Sequence, residues 1–185
     1  MEVQKMLKFA FMISMPNLDP EKFVATYDNA ESHNVVIGMD GKEAAKEQFA
    51  KFAADGYTLF NLCSGFSPED AAEYEAMAGE GVKVRAAVYN DAEGAKIEAL
   101  EDFSKYGVVI VMKGVEESAE VDCAGPGFEA KAIFVKDQAA ANEAAKKLAA
   151  DGVTFIELCS WFDAERTQSV IDAIGGAVPV GSCGL

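Results

Sequence analysis

The sequence predicts an α/β protein made by tandem duplication of a βα-repeat unit, with strands that run mostly parallel. The chain aligns with itself, so that Ala53-Ala54-Asp55-Gly56 matches Ala149-Ala150-Asp151-Gly152 and Leu62-Cys63-Ser64 matches Leu158-Cys159-Ser160. Within each copy, amphipathic segments with helical spacing alternate with nearly continuous apolar runs. Such runs are typical of parallel strands that are covered by helices on both faces.

The helix boundaries are marked by capping residues. A helix is predicted over residues 42–55, and its repeat ends at Asp151. Gly56 and Gly152 follow these helices, where glycine readily adopts the left-handed conformation that ends a helix. Ser67 and Asp163 are predicted to cap the next helix in each copy through their side-chain oxygens.

Eight strands are predicted, over residues 9–13, 35–39, 57–63, 82–89, 108–112, 132–135, 153–159 and 178–181. Their alternation with helices favours a (βα)8-barrel-like fold of two half-barrels. The alternative is an open doubly wound sheet or two packed flavodoxin-like halves. The predicted halves are residues 1–104 and 105–185, which share one compact domain and are joined by a helix over residues 91–104. Residues 115–127 are predicted to form a loop, and Pro179 favours an edge position for the last strand.

Composition excludes several function classes. The formal charge of -15 argues against a nucleic acid partner, and 50% apolar residues are ample for a folded core. The apolar stretch at residues 7–15 is too short to cross a membrane, so we expect a first strand and a cytoplasmic protein. One histidine and four cysteines without C-x-x-C spacing predict reduced thiols, no metal site and no retained cofactor. Dinucleotide, Walker, zinc-protease and G-x-S-x-G motifs are absent from the sequence.

The candidate catalytic residues lie at the carboxyl ends of predicted strands, where parallel folds gather their functional groups. Cys63 and Cys159 occupy such ends, and the helix start that follows each of them favours a lowered thiol pKa. Period-two alternation places Asn61 on the face of Cys63 and Glu157 on the face of Cys159. A carboxylate directed into the interior is costly unless it is paired or used. Glu157, Cys159 and Cys63 are therefore the predicted catalytic residues.

Six further residues are predicted to bind a ligand: Asn61, Ser64, Ser160, Trp161, Gly181 and Ser182. Gly181 and Ser182 belong to a glycine-rich end whose backbone N–H groups are candidates to cradle a phosphate or carboxylate. Structural interpretations stay open beside these. Buried thiols commonly only pack, Glu157 can pair with a lysine, and Trp161 can serve as a packing lid.

Three short strings carry a family resemblance. Pro16-Asn17-Leu18-Asp19-Pro20-Glu21-Lys22, Ile156-Glu157-Leu158-Cys159 and Val178-Pro179-Val180-Gly181 resemble an uncharacterised group of bacterial proteins, domain of unknown function 6506, whose signature is similar to E-L-C-G-G-F. The resemblance implies two tandem copies over most of the chain and implies no reaction. The first copy departs from the signature at Asn61, and the second at Ser160-Trp161.

Two function classes follow from the sequence. The first is a protein that binds a small-molecule ligand at the carboxyl ends of its strands, without a nucleic acid or membrane partner. The second is a lyase, isomerase or thiol-dependent enzyme that uses Glu157 with Cys159 or Cys63. The sequence leaves a homo-oligomer open.

Overall fold

The computed structural model describes residues 5–185, which form ten strands and five helices. The first half contains β1 (Leu7–Ser14), β2 (Val24–Asp28), β3 (Ser32–Met39), α1 (Lys42–Ala54), β4 (Leu59–Cys63), α2 (Pro68–Ala78), β5 (Lys83–Ala86) and α3 (Asp91–Glu98). The second half contains β6 (Lys105–Val111), β7 (Ala119–Gly125), β8 (Phe128–Val135), α4 (Gln138–Ala150), β9 (Phe155–Leu158), α5 (Ala164–Ala173) and β10 (Val180–Ser182).

The strands form two open five-stranded sheets, in the orders β2-β3-β1-β4-β5 and β7-β8-β6-β9-β10. Neighbouring strands are parallel except for the outer hairpins β2-β3 and β7-β8, which are antiparallel. The α/β class is thus confirmed, but the predicted closed barrel is wrong. Closure would require β5 to pair with β6, and β6 already pairs with β8 on one side and β9 on the other. The alternative of two packed halves describes the fold better.

Two strands were not predicted, and both are edge strands of the hairpins. β7 lies inside residues 115–127, where the sequence predicts a loop, so that prediction is wrong. In β2 and β7, exposed residues alternate with half-buried or buried ones and include acidic side chains, so neither shows the apolar run of a buried strand. The edge position predicted from Pro179 is confirmed, because β10 lies at the edge of its sheet.

The sheets pack face to face and helices cover their outer faces, which gives four layers. Alternation along each strand produces this arrangement. In β4, Phe60 and Leu62 pack beneath α1 and α2, whereas Cys63 belongs to the apolar cluster between the sheets. Across that inner layer, the Tyr27 ring stacks on Phe134 with centroids 4.7 Å apart. At one edge the sheets are joined by an antiparallel bridge between Val88 and Ser182.

The predicted helix caps are confirmed. The Ser67 side chain accepts the N–H of Asp70, whose carboxylate accepts the N–H of Ser67 in return, and Asp163 caps α5. Gly56 and Gly152 take φ values of 87° and 88° directly after α1 and α4. These caps fix where each strand-to-helix loop ends.

The joining helix is shorter than predicted. α3 stops at Glu98, and the remaining residues to 104 are not helical. The chain leaves the helix so that Phe103 packs edge-on against Phe155, with ring centroids 5.4 Å apart. No helix among residues 5–185 is long and apolar enough to cross a membrane.

Candidate functional site

Two equivalent polar contacts cross the space between the sheets. The Ser64 hydroxyl donates to Oε1 of Glu157 at 3.1 Å. In the equivalent contact, Nδ2 of Asn61 donates to Oγ of Ser160 at 3.1 Å, and the Ser160 N–H donates to Oδ1 of Asn61 at 2.9 Å. Because Glu157 is the repeat counterpart of Asn61 and Ser160 that of Ser64, an approximate two-fold axis relates the halves. The carboxyl end of β4 therefore lies over β9, and the carboxyl end of β9 over β4.

One cavity, of about 360 Å³, opens beside Glu157 and is called the Glu157 cavity here. Its polar lining consists of Ser64, Tyr89 and Glu157. Its apolar wall consists mainly of Met15, Phe66, Ile97, Phe103 and Phe155. The cavity is therefore apolar around one buried carboxyl and two hydroxyls. Both halves of the chain and the joining segment contribute to it.

The Glu157 carboxyl is buried without a balancing cation. Its residue is 2% exposed, and none of the ion pairs among residues 5–185 includes it. The lysine partner considered from the sequence is thus not found. Burial raises the pKa of the Glu157 carboxyl, while the hydroxyls of Tyr106, Ser64 and Tyr89 favour its charged form and act in the opposite direction.

Two tyrosines that sequence reasoning missed complete this site. The fully buried Tyr106 hydroxyl lies close enough to Glu157 and Cys63 to feel their charge, yet it has no hydrogen-bond partner of normal geometry among the described residues. Burial raises the pKa of both Tyr106 and Tyr89. The Tyr89 ring lies against Gly181, where an added Cβ would come within 2.6 Å of Cζ. Gly181 pairs with Glu157 between β10 and β9, so the missing side chain lets Tyr89 approach the carboxyl.

The backbone around Ser64 is strained. Ser64 has φ of 56° and Gly65 has φ of 85°, so two consecutive residues are left-handed. A non-glycine residue there carries a cost of roughly 1 kcal/mol or more, which surrounding contacts must offset. The hydrogen bond from Ser64 to Glu157 is one of these contacts. Glycine accommodates this backbone best, and the second half follows another path, because neither Ser160 nor Trp161 has a positive φ.

The thiols do not have the lowered pKa that the sequence suggested. Burial raises the pKa of Cys63 well above its usual range, with Cys183 Sγ 3.3 Å away, and raises that of Cys159 to about 12. Both thiols are enclosed within the molecule, so desolvation outweighs any effect of the helix start. Cys159 lies near the Val111 carbonyl and away from the Glu157 cavity, so Glu157 and Cys159 do not form a pair. The thiol near Glu157 is Cys63.

A second cavity, of about 320 Å³, is the repeat counterpart of the first and is called the Trp161 cavity here. Its residues include Leu59 and Ser160, the counterparts of Phe155 and Ser64 in the Glu157 cavity. Trp161 replaces Gly65 and forms one wall. The structure thus divides the predicted site residues: Ser64 and Glu157 line one cavity, and Cys159, Ser160 and Trp161 line the other. The remaining predicted residues line neither of these two cavities: Asn61, Cys63, Gly181 and Ser182.

The predicted anion cradle at the end of the chain is wrong, because its N–H groups are already used. The Ser182 N–H donates to the Val88 carbonyl, the Cys183 N–H to Leu158, and the Gly184 N–H to Oγ of Ser182. Ser182 itself is buried, and its hydroxyl donates to the Phe162 carbonyl at 2.7 Å. This segment closes the edge of the second sheet. The described residues contain no cluster of three or more His, Cys, Asp or Glu side chains suited to a metal ion.

Comparison with known proteins identifies the family of this chain. No curated protein matches the chain. Among solved structures, a periplasmic solute-binding protein of an ABC transporter from Actinobacillus succinogenes 130z, with bound D-allose, matches at 11% identity over 94% of this chain and 76% of that one. Its TM-score of 0.30 is too low to carry a structural or functional conclusion. The family of unknown function DUF6506 matches residues 7–102 and again residues 104–184, so the chain belongs to that family and contains two tandem copies.

Proposed function

We propose that this protein binds a small molecule in the Glu157 cavity, with an apolar body and one ammonium or hydroxyl group directed at Glu157. The observation that carries the proposal is a buried carboxyl, which forms no ion pair with any residue from 5 to 185, at the polar side of an otherwise apolar cavity. Such a group is costly to bury unless a partner satisfies it. Ser64 supplies a neutral hydrogen bond, and a ligand ammonium group would add the balancing charge.

The dimensions and walls of the cavity suit such a ligand. A volume of about 360 Å³ falls at the lower end of the range for small-molecule sites. Phe66, Phe103 and Phe155 offer aromatic surface, and Ile97 and Met15 fill the remaining wall. The ligand's apolar part would gain from burial at about 25 cal/mol per Å² of apolar surface.

The polar groups define which end of the ligand faces inward. Glu157 accepts hydrogen bonds in its charged form, and Tyr89 and Ser64 border the same space. The Tyr106 hydroxyl, which has no hydrogen-bond partner of normal geometry among residues 5–185, lies nearby and supports a further polar contact. An ammonium group would favour the charged carboxylate, so its binding should lower the pKa of Glu157 and release a proton.

The second candidate is a lyase or isomerase that uses Glu157 as acid and base. The raised pKa of the Glu157 carboxyl favours it, because proton transfer is most effective when the group titrates near the working pH. The neighbouring phenols would stabilise negative charge that develops on a substrate oxygen. A thiol-dependent reaction is not favoured, since burial raises the pKa of both Cys63 and Cys159.

A probe series that differs in one polar group tests the binding proposal. We expect 2-phenylethylamine and 2-phenylethanol to bind the wild-type chain in calorimetric titration, the amine more tightly. Glu157→Gln removes a charge-assisted contact worth about 1.5–3 kcal/mol, so the amine should bind roughly 10- to 100-fold more weakly. Asn61→Ala, at the equivalent position, is the control and should leave amine affinity within about twofold. Unchanged amine affinity in Glu157→Gln would refute the proposal.

A further inference from the structure

We propose that the Trp161 cavity is a second binding site, for a small carboxylic acid with an apolar body. It is the counterpart of the Glu157 cavity, but the charged residue that lines it is a lysine instead of a glutamate. No Asp or Glu lines it, and Lys113 lies on its lining. The two halves would thus take ligands of opposite charge.

Behind the lining residue Ser160 lies a neutral amide, at the position where the other half has the Glu157 carboxyl. Asn61 is fully buried and already exchanges two hydrogen bonds with Ser160. The Ser160 hydroxyl accepts from Asn61, so its own hydrogen is available to donate. A ligand carboxylate can accept that hydrogen, whereas an ammonium group would find no charged acceptor on the lining.

One cation lines this cavity, and a second contacts its Trp161 wall. The Lys113 side chain is exposed, and no carboxylate among residues 5–185 lies within ion-pair distance of it. The Arg166 guanidinium lies 3.8 Å from the centre of the Trp161 ring and donates to the Trp161 carbonyl at 2.8 Å. In a chain of net charge -15, a positive potential at this mouth would draw an anion from an otherwise repulsive surface.

The walls set the size and shape of the apolar part. Leu7, Phe9 and Leu59 come from the first half, and Trp161 and Met112 from the second. Trp161 is held by edge-on packing against Phe162, with ring centroids 5.1 Å apart. A volume of about 320 Å³ accommodates a single aromatic ring with a short acidic side chain.

Phenylacetate is the probe, and calorimetric titration at pH 7 is the measurement. We expect one binding event in the wild-type chain, weakened about threefold to fivefold by Lys113→Gln, since an exposed ion pair contributes little more. Trp161→Gly copies the residue of the first half and should weaken binding at least about tenfold. Lys51→Gln, on the outer face of α1, removes the same charge elsewhere and should have no effect. Salt at 1 M should weaken phenylacetate binding.

Glu157→Gln separates the two sites, because it should weaken 2-phenylethylamine and leave phenylacetate unchanged. The second site is refuted if phenylacetate fails to bind at 10 mM, if Lys113→Gln and Trp161→Gly both leave its affinity unchanged, or if 2-phenylethylamine displaces it. The first two outcomes leave the amine titration of the Glu157 cavity intact, so the two proposals fail independently. Displacement would show that both probes share one cavity, and the effect of Glu157→Gln on phenylacetate then tells which one.

Discussion

Replacing Glu157 by glutamine should stabilise the fold near neutral pH. The first half shows the expected geometry, because Asn61 holds Ser160 through an amide in the place where Glu157 holds Ser64. A glutamine at position 157 can accept and donate in the same way without a desolvated charge. Relief of that charge is worth about 1–3 kcal/mol, or roughly 2–4 °C in Tm for each kcal/mol in a chain of this length.

The pH dependence of stability tests whether the buried charge of Glu157 causes this difference. The folded-state pKa of Glu157 is raised, so the wild-type chain is penalised as pH rises from the unfolded value of about 4.3 through the folded one. Glutamine does not titrate, so the stability gain of Glu157→Gln should be smallest below about pH 4 and should grow until the folded pKa is passed. Urea unfolding between pH 4 and pH 8 measures it, with Asn61→Ala as control. A variant that is less stable than wild type at pH 7 would show that the carboxylate stabilises the fold, against our reasoning.

Three further predictions concern the same site. Gly181→Ala should displace the Tyr89 ring, lower the free energy of unfolding by about 1–3 kcal/mol and weaken the binding of 2-phenylethylamine. Unchanged stability and affinity would contradict the close approach of Tyr89 to Gly181. Tyr106→Phe removes a buried hydroxyl that has no hydrogen-bond partner of normal geometry in the described part of the chain, so the free protein should lose less than about 1 kcal/mol in urea unfolding. A larger loss would show that this hydroxyl donates a full hydrogen bond to Glu157. Cys63 and Cys159 should be alkylated slowly at pH 7 in the folded chain and rapidly in urea, because burial raises both thiol pKa values. Fast selective labelling of either thiol in the folded chain would contradict this prediction.

The sequence predicted the local structure well because caps and strand patterns are local signals. Ser67, Asp163 and the glycines after α1 and α4 mark element ends through backbone geometry alone. Which strand pairs with which is not local. An alternation of strands and helices is compatible with a barrel or with two sheets. The structure has two open sheets because β1 and β6 are each central, with later strands on both sides.

The candidate site could be predicted in part. The carboxyl ends of the strands and Glu157 follow from period-two alternation, and the structure confirms that this side chain faces inward. Tyr106 could not be found, because the strand pairing makes it the counterpart of Phe9 and in the sequence it looks like an ordinary core aromatic. The pairing of Glu157 with Cys63, across the halves, depends on how the two sheets face each other, which the repeat does not reveal.

The duplication makes the second half an internal comparison for the first. Equivalent strand positions carry a carboxyl at Glu157 and an amide at Asn61, while equivalent loop positions carry Gly65 and Trp161. One fold therefore builds two cavities of similar volume with different polarity. Divergence of two copies after duplication is a direct route to such a difference, because each substitution alters one cavity and leaves the shared sheet packing in place.

The carboxyl carbon of Glu157 offers the most direct test of the central claim. Carbon-13 NMR of glutamate-labelled protein, with the resonance assigned by its loss in Glu157→Gln, follows the titration of this single group. We predict an apparent pKa above the usual range for glutamate in the free protein and a decrease when 2-phenylethylamine is added. A resonance that titrates like an exposed glutamate and ignores the amine would contradict both the burial of this carboxyl and its role in binding.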